Sequence, residues 1–124
     1  MVQFHDLRFS SREPVYQQLA AHVKRQIFRR TAQNGDPLPS RRDIAATLEI
    51  NPNTVQKAFR LMEEEGFVRT NGNTGSVIYT NEAILTQIDT ELSRGIVAAF
   101  VKEAKENGLS FPRVIALISE LWES

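Results

Sequence analysis

The fold is decided by residues 37–78, which read PLPSRRDIAATLEINPNTVQKAFRLMEEEGFVRTNGNTGSVI. Within this stretch, Asn51 suits the N-cap of a helix, and Pro52 suits its first position, where a missing N–H costs nothing. Gly66 lies just past the other end, where helices often need a left-handed residue. The sequence therefore predicts a helix with well-defined ends between Asn51 and Gly66.

This predicted helix has two different faces. Its apolar side chains recur at intervals of three and four residues, which places them on one stripe: Val55, Ala58, Phe59 and Met62. Polar side chains with the same spacing point almost the opposite way: Asn53, Gln56, Lys57 and Arg60. Amide side chains can pair bidentately with adenine edges, and Arg or Lys with guanine. The outer face therefore has the chemistry that a recognition helix needs in the DNA major groove.

A second short helix precedes the recognition helix. Ser40 suits its N-cap, with Asp43 three residues later, and we expect the helix to run from Arg41 to about Leu48. Leu38, between two prolines, is expected to anchor the preceding loop in the core. Glu49–Asn51 is a tight turn, and two short helices joined by about three residues make a helix-turn-helix.

A β-hairpin is predicted directly after the recognition helix, in the position of a wing. Phe67–Thr70 and Ser76–Tyr79 have strand-like content and flank the turn-forming cluster Asn71–Gly75. The tip offers Asn73, Thr74 and bare backbone N–H groups, all of which can reach phosphate or sugar. A hairpin that only caps the core is the alternative.

The N-terminal part predicts a first helix from Pro14 to about Thr31, with an apolar stripe: Val15, Leu19, Val23 and Ile27. Its C-terminal half carries a basic run: Lys24, Arg25, Arg29 and Arg30. This run is either a solvated helix end that complements the helix dipole or a phosphate-contacting patch. Residues 1–12 contain three apolar side chains among polar ones and predict either a short strand or an extended arm: Phe4, Leu7 and Phe9.

Two further helices are predicted after the hairpin, from Asn81 to about Asn107 and from Ser110 to Trp122. They carry more apolar side chain than two helices can cover, which favours a homodimer over packing against the winged domain. The expected dimer contacts are Ile88, Leu92, Ile96, Phe100, Phe111, Ile115, Ile118 and Trp122. Phe100, Phe111 and Trp122 could instead line a small effector pocket in that interface, although plain core aromatics are the favoured explanation.

Composition bounds the class of protein. The 124 residues contain 41% hydrophobic residues and no cysteine, so we expect a packed core without disulfides or thiolate metal sites. The N-terminus lacks an apolar h-region and no run is long enough to span a membrane, so we expect a cytoplasmic location without a membrane partner. Residues 1–80 carry 11 Lys or Arg and 8 Asp or Glu, whereas residues 81–124 carry 4 and 7. The positive half is therefore the half that contains the recognition helix.

The residues also bear on two other classes of function, an enzyme and a protein–protein interaction module. The histidines His5 and His22 have no carboxylate at metal-ligand spacing, and no phosphate loop or nucleophile motif is present, so we expect no enzyme and no cofactor. The alternative is a winged-helix protein–protein interaction module without DNA binding. Such a surface usually presents aromatic or aliphatic anchors, and the outer face of the recognition helix has none.

Residues 37–68, with Leu-Pro-Ser, an Arg two residues on and Thr-Val at the start of the recognition helix, resemble the GntR family of bacterial transcription regulators. The preceding PVYQQLAAHVKRQI resembles the first helix of that family. The Asn-Pro-Asn-Thr-Val run and the short C-terminal region resemble the YtrA subfamily in particular. The resemblance implies a DNA-binding regulator whose C-terminal segment serves dimerisation.

The resemblance also implies a set of contacts to double-stranded DNA. Ser40 and Arg42 are expected at phosphate or guanine, and Gly72 and Asn73 near the wing tip. The whole candidate DNA-binding set is Ser40, Arg41, Arg42, Asn51, Asn53, Thr54, Gln56, Lys57, Arg60, Gly72, Asn73 and Thr74.

The sequence departs from the family pattern at three places. Pro52 stands where other subfamilies carry an Arg contact, and Arg41 replaces a common Glu. The wing turn is longer than the usual form and lacks its Lys. We therefore expect base reading to shift onto Asn53, Thr54, Gln56 and Lys57.

These observations together predict a mainly α fold with a small β-hairpin. Residues 1–80 are expected to form a winged helix-turn-helix that binds DNA, and residues 81–124 a helical dimerisation segment. The expected function is a sequence-specific repressor that binds an inverted repeat as a homodimer.

Overall fold

The computed structural model describes residues 2–73 and 75–124 of the chain. It confirms a mainly helical fold with one small hairpin. The elements in chain order are α1 (Val15–Phe28), α2 (Arg41–Leu48), α3 (Pro52–Glu65), β1 (Val68–Asn71), β2 (Gly75–Ile78), α4 (Glu82–Glu106) and α5 (Phe111–Trp122). The chain forms two compact units that divide between Asp89 and Thr90, within α4.

The core of the first unit is built around α3, which packs against α1, α2 and β1. All four residues of the predicted apolar stripe on α3 are buried. Other elements contribute further fully buried side chains, among them Leu19, Val23, Ile27, Ile44, Phe67, Val68 and Ile78. Removing apolar area from water contributes about 25 cal/mol per Å² to folding, so this stripe fixes which face of α3 stays outside.

Both ends of α3 lie where the sequence predicts them. The Asn51 side-chain oxygen accepts a hydrogen bond from the Asn53 N–H at 2.8 Å, and Pro52 occupies the first turn. Gly66 adopts φ +92°, a left-handed conformation, and its N–H donates to the Met62 carbonyl at 3.0 Å. The cap residues therefore satisfy backbone groups that would otherwise lack partners.

The ends of α2 are defined in the same way. The Ser40 hydroxyl accepts from the Asp43 N–H at 3.1 Å, as expected of an N-cap. Glu49 turns the chain toward α3 with φ +55°. Leu38 is buried, as predicted, and its N–H donates to the Ser76 carbonyl at 2.9 Å, which ties the loop before α2 to the hairpin.

The hairpin has antiparallel strands with Val68 opposite Ile78 and Asn71 opposite Gly75. Each strand lies one residue closer to the tip than predicted, because the pairing continues as far as Asn71 and Gly75. The loop residue Pro37 bridges Val77 on the other edge of β2. The strand β2 is thus paired along both edges, by β1 on one side and by Pro37 on the other.

The helix α1 ends at Phe28, three residues earlier than predicted. Arg29 forms its C-cap, and Arg30 adopts φ +65°, which reverses the chain. The Thr31 N–H then donates to the Gln26 carbonyl at 2.9 Å. A left-handed residue at Arg30 is incompatible with another helical turn.

The N-terminal residues form an extended arm rather than a strand. Val2, Phe4 and Leu7 are buried, and residues 2–13 contain no strand. The Gln3 backbone carbonyl accepts hydrogen bonds from His22 Nε2 at 2.7 Å and from Gln26 Nε2 at 2.6 Å, both on α1. Side chains of α1 therefore take the place of a neighbouring strand.

The last two helices also begin at side-chain caps. The Asn81 side chain accepts from the Ile84 N–H at 2.8 Å, and the Ser110 hydroxyl accepts from the Arg113 N–H at 3.3 Å. Gly108, with φ +77°, separates α4 from α5. Among the described residues, no helix has the length and apolar content needed to cross a membrane.

Candidate nucleic-acid interface

The outer face of α3 lies in solvent along its whole length. Because the apolar stripe is buried, the side chains on the opposite side are exposed, and Thr54 beside them is half-buried. The exposed members are Asn53, Gln56, Lys57 and Arg60. The structure thus brings these four predicted residues together on one surface, with two cations and two amides.

Lys57 is held over an aromatic ring from α1. Its ammonium nitrogen lies 4.6 Å from the centroid of the Tyr16 ring. Within the residues that the structure describes, the ammonium forms no ion pair, so its charge remains available to an outside anion. The contact also shows that the N-terminal end of α1 lies beside the outer face of α3.

The two arginines at the start of α2 have different surroundings. The Arg41 guanidinium lies 4.5 Å from the Phe59 ring centroid and 3.5 Å from a Glu63 carboxylate oxygen, so it joins α2 to α3. Its Nε is buried and has no hydrogen-bond partner among the described residues. Arg42 is exposed beside the capped end that Ser40 forms. Arg42 is therefore the freer of the two for an external phosphate.

The cap residue Asn51 is itself exposed, although its side-chain oxygen is already used by the Asn53 N–H. At the hairpin tip, Gly72 and Asn73 are exposed, as a wing contact requires. Thr74, which belongs to the same predicted set, lies outside the described residues.

The structure adds Arg69, which the sequence reasoning did not include. This exposed arginine on β1 has its guanidinium carbon 3.4 Å from the centroid of the Tyr79 ring, which corresponds to stacking. Arg69 pairs with Val77, and Tyr79 follows two residues later, just past the end of β2, so it lies diagonally across the same face. That alternation was available in the sequence and could have identified the pair. The stack places an exposed cation on the hairpin.

The second unit exposes apolar side chains. No residue of α5 is buried, and Phe111 and Trp122 are 77% and 82% exposed. An open groove of about 380 Å³ between α4 and α5 is lined by Ile96, Val97, Phe100, Ile118, Leu121 and Trp122. Most of the predicted dimer residues therefore lie at an accessible surface, with Leu92 half-buried.

Ile88 is an exception among the predicted dimer residues. It is only 4% exposed in the single chain, because it lies in the part of α4 that belongs to the first compact unit. A side chain that is already buried cannot add much contact to a second copy, so we remove Ile88 from the candidate interface.

The described residues contain no arrangement suited to a metal centre. Within residues 2–73 and 75–124, no group of three or more His, Asp or Glu side chains could hold a metal ion. The two histidines lie instead beside the N-terminal arm, in a polar cavity described below.

Comparison with known proteins connects this surface to a family. The model of the bacterial regulatory proteins of the gntR family matches residues 15–78. The HTH-type transcriptional regulator YhcF of Bacillus subtilis is 35% identical over 105 residues, which cover 85% of this chain and 87% of YhcF. The HTH-type transcriptional repressor YtrA of the same species is 34% identical over 95 residues, which cover 72% of this chain and 73% of YtrA.

A solved structure of similar fold supports the same assignment. The GntR family transcriptional regulator from Listeria monocytogenes superposes with a TM-score of 0.78 at 27% identity, over 90% of this chain and 98% of that chain. The resemblance inferred from residues 14–79 is thus confirmed by both sequence and fold. The chain belongs to the GntR family of bacterial regulatory proteins, where it is YtrA-like and acts as a DNA-binding transcription regulator rather than as an enzyme.

Proposed function

We propose that this protein is a transcriptional repressor that binds an inverted-repeat operator as a homodimer. The observation that carries the proposal is the exposed outer face of α3, where two amides and two cations lie beside the exposed Arg42. A buried stripe on the opposite side fixes this face outward, as a helix in the major groove requires. The same face lacks the aromatic anchors of a protein-binding surface, so the interaction-module alternative has no support from it.

Each part of the surface has its own role in the proposed complex. Asn53, Gln56 and Lys57 read base edges in the major groove, with Thr54 and Arg60 beside them. Ser40 and Arg42 contact backbone phosphates, which position the protein without reading sequence. The wing contributes Gly72, Asn73 and Thr74 at its tip, and the remaining members of the set are Asn51, Arg41 and the added Arg69.

Arg41 has a supporting role in this proposal. Its guanidinium already contacts Phe59 and Glu63, and its side chain is 33% exposed. The contact holds the N-terminus of α2 against α3, so the distance between the phosphate contacts and the base contacts is fixed. Arg41 adds positive charge beside Arg42 from this position.

The second copy covers the apolar surface of the second unit. The exposed Phe111 and Trp122, with the groove between α4 and α5, offer aromatic and aliphatic area that a monomer leaves in water. A symmetric dimer pairs the same patch from both chains. Two recognition helices would then reach half-sites about 34 Å apart, one turn of DNA.

The two proposed roles, DNA binding and dimerisation, belong to successive parts of the chain. Residues 1–80 bind DNA, and residues 81–124 hold the dimer together, with the first turns of α4 belonging to the first compact unit. Repression is proposed because the relative YtrA bears the name of a repressor and because a protein bound at an operator can block transcription sterically. The protein would act in the cytoplasm, where its operator lies.

The salt dependence of DNA binding tests this proposal. Each neutralised phosphate lowers the slope of log K against log salt by about 0.9, so three phosphate-contacting cations in each protomer predict a slope of roughly −5 for the dimer. Those cations are Arg42, Arg60 and Arg69, because Lys57 is assigned to a base edge. Fluorescence anisotropy with the protein's own promoter measures the slope between 50 and 200 mM salt, the range in which such contacts weaken binding about 10³- to 10⁵-fold. A flat response would contradict the proposed interface.

A further inference from the structure

A polar cavity of about 320 Å³ lies between the N-terminal arm and the C-terminal half of α1. We call it the arm pocket. Three α1 residues and its C-cap line it at intervals of three and four, so they share one face of the helix: His22, Arg25, Gln26 and Arg29. The arm forms the other wall, and the Gln3 carbonyl is bonded to His22 and Gln26. The volume falls at the lower end of the range for small-molecule sites, about 300–1,000 Å³.

The arm pocket has an excess of positive charge. Arg25 and Arg29 form no ion pair and no side-chain hydrogen bond within the described residues. The one carboxylate in the lining, Asp6, lies 3.7 Å from Nε2 of His22. His5 completes the set of basic groups. Two guanidinium groups that face a shared concave space suit an oxyanion, because each offers a planar fork of N–H donors.

The pocket also explains which part of the basic run on α1 is available. Lys24 is buried and bonded to Glu65, and the Arg30 guanidinium donates to the Ile27 carbonyl. These two cations therefore have structural partners. Arg25 and Arg29, in contrast, converge on the cavity. The helix dipole explains why cations favour the last turn of α1. It does not explain why the arm forms a cavity beside them.

The position of the pocket favours a free anion over DNA phosphate. Lys57 contacts Tyr16 at the N-terminal end of α1, so the base-reading face lies at that end. Arg25 and Arg29 are nine and thirteen residues further along, roughly 14 and 20 Å at 1.5 Å per residue. The arm also forms one wall of the cavity, so Arg25 and Arg29 border a concave site rather than an open helix face.

We propose that the arm pocket binds a small free oxyanion, a metabolite with a phosphoryl or carboxylate group held by Arg25 and Arg29. The existence of this site does not depend on whether the protein binds an operator. It also has a route to the DNA-binding surface, because Val2 and Phe4 of the same arm line a second cavity with Pro39. Pro39 immediately precedes the Ser40 cap of α2. An anion that fixes the arm would therefore stiffen the loop that leads into the Ser40 cap of α2.

Inorganic phosphate is the probe, titrated against chloride at constant pH and ionic strength. The chain has 2 histidines, His5 and His22, and both line the pocket, so the imidazole C–H signals in proton NMR report on it directly. We expect both signals to shift with saturation at a Kd on the order of 1 mM, as suits a five-atom ligand. Arg25→Gln and Arg29→Gln should each weaken binding about tenfold or more.

Matched variants decide the outcome. Arg29 is an exposed cap residue, so Arg29→Gln should fold even if Arg25→Gln does not, and thermal unfolding in chloride checks both. Arg113→Gln removes the same charge from α5 and should leave the phosphate titration unchanged. Shifts that are linear in phosphate, or equal in Arg29→Gln and the parent chain, would overturn the site.

DNA binding separates the two sources of phosphate. We expect the salt slope for promoter DNA to be the same for Arg29→Gln and the parent chain, since the pocket lies away from the base-reading face. A slope that is smaller by about 1 in the variant would instead assign this arginine to the DNA backbone and overturn the free-anion proposal. If the protein does not bind DNA, the phosphate titration still tests the arm pocket, because it requires no DNA.

Discussion

Replacing Lys57 with Ala separates the DNA contact from the stability of α3. The side chain is exposed, and its main contact within the protein is the Tyr16 ring at 4.6 Å. An exposed cation–π contact is worth about 0.5–1 kcal/mol, and Ala favours a helix, so the free energy of unfolding should fall by less than about 1 kcal/mol. Loss of a base contact costs about 1–3 kcal/mol in each half-site, so the dimer loses about 2–6 kcal/mol and Kd rises roughly 30- to 20,000-fold.

Fluorescence anisotropy with an operator duplex and a scrambled duplex measures both effects of Lys57→Ala. The loss should be larger on the operator, because a base contact discriminates between sequences whereas a phosphate contact does not. Arg113→Ala on α5 removes an equal charge and should bind both duplexes like the parent chain. Unchanged operator affinity of Lys57→Ala, with the fold intact by circular dichroism, would refute the placement of this residue in the interface.

Five other substitutions test three further parts of the account. Gly66→Ala should lower the free energy of unfolding by about 1–2 kcal/mol because its φ is +92°, whereas Gly95→Ala, within α4 and open to solvent, should raise it by about 0.5–1 kcal/mol; urea unfolding measures both. Trp122→Glu should give a monomer by analytical ultracentrifugation with unchanged helix content, since the ring is 82% exposed in the single chain. Arg69→Gln should weaken operator binding, and Tyr79→Leu should weaken it only when Arg69 is present, which a double-mutant cycle in anisotropy reveals.

Each of these has a contrary outcome. Equal stability changes at the two glycines would show that backbone conformation does not decide the end of α3. A Trp122→Glu dimer as tight as that of the parent chain would remove α5 from the interface. Additive effects at Arg69 and Tyr79 would show that the stack does not position the guanidinium for DNA.

Local features of the chain could be predicted from the sequence because their causes are local. The ends of α3 depend on Asn51, Pro52 and Gly66, each of which acts within one turn of its own position. The two faces of the helix depend only on the spacing of three and four residues. The order of helices and hairpin followed from the same local patterns, and the structure confirms it.

Contacts between distant side chains could not be predicted in this way. The basic run on α1 looked uniform, yet Lys24 finds Glu65, 41 residues away, while Arg25 faces the arm pocket. In the sequence Arg41 and Arg42 are adjacent cations of the same kind. In the structure the Arg41 guanidinium lies over the Phe59 ring, whereas Arg42 is exposed. Periodicity gives the face on which a residue lies, but the partner depends on how the elements pack.

The ends of elements were missed where backbone conformation overrides pattern. The basic and apolar pattern of α1 continues to Thr31, but Arg30 is left-handed and the helix stops at Phe28. Likewise, the alternation in the arm allowed a strand, but no neighbouring strand is present in the described residues to pair with it. Hydrogen bonds from His22 and Gln26 to Gln3 satisfy that backbone instead.

Selection of bound sites from a pool of random DNA with the purified protein tests the central claim most directly. The account predicts enrichment of an inverted repeat whose half-site centres are about 10–10.5 base pairs apart, or a multiple of that distance. Such a repeat would confirm base reading by α3 and two-fold symmetry together. Recovery of unenriched sequence, or of a single site without a repeat, would contradict it.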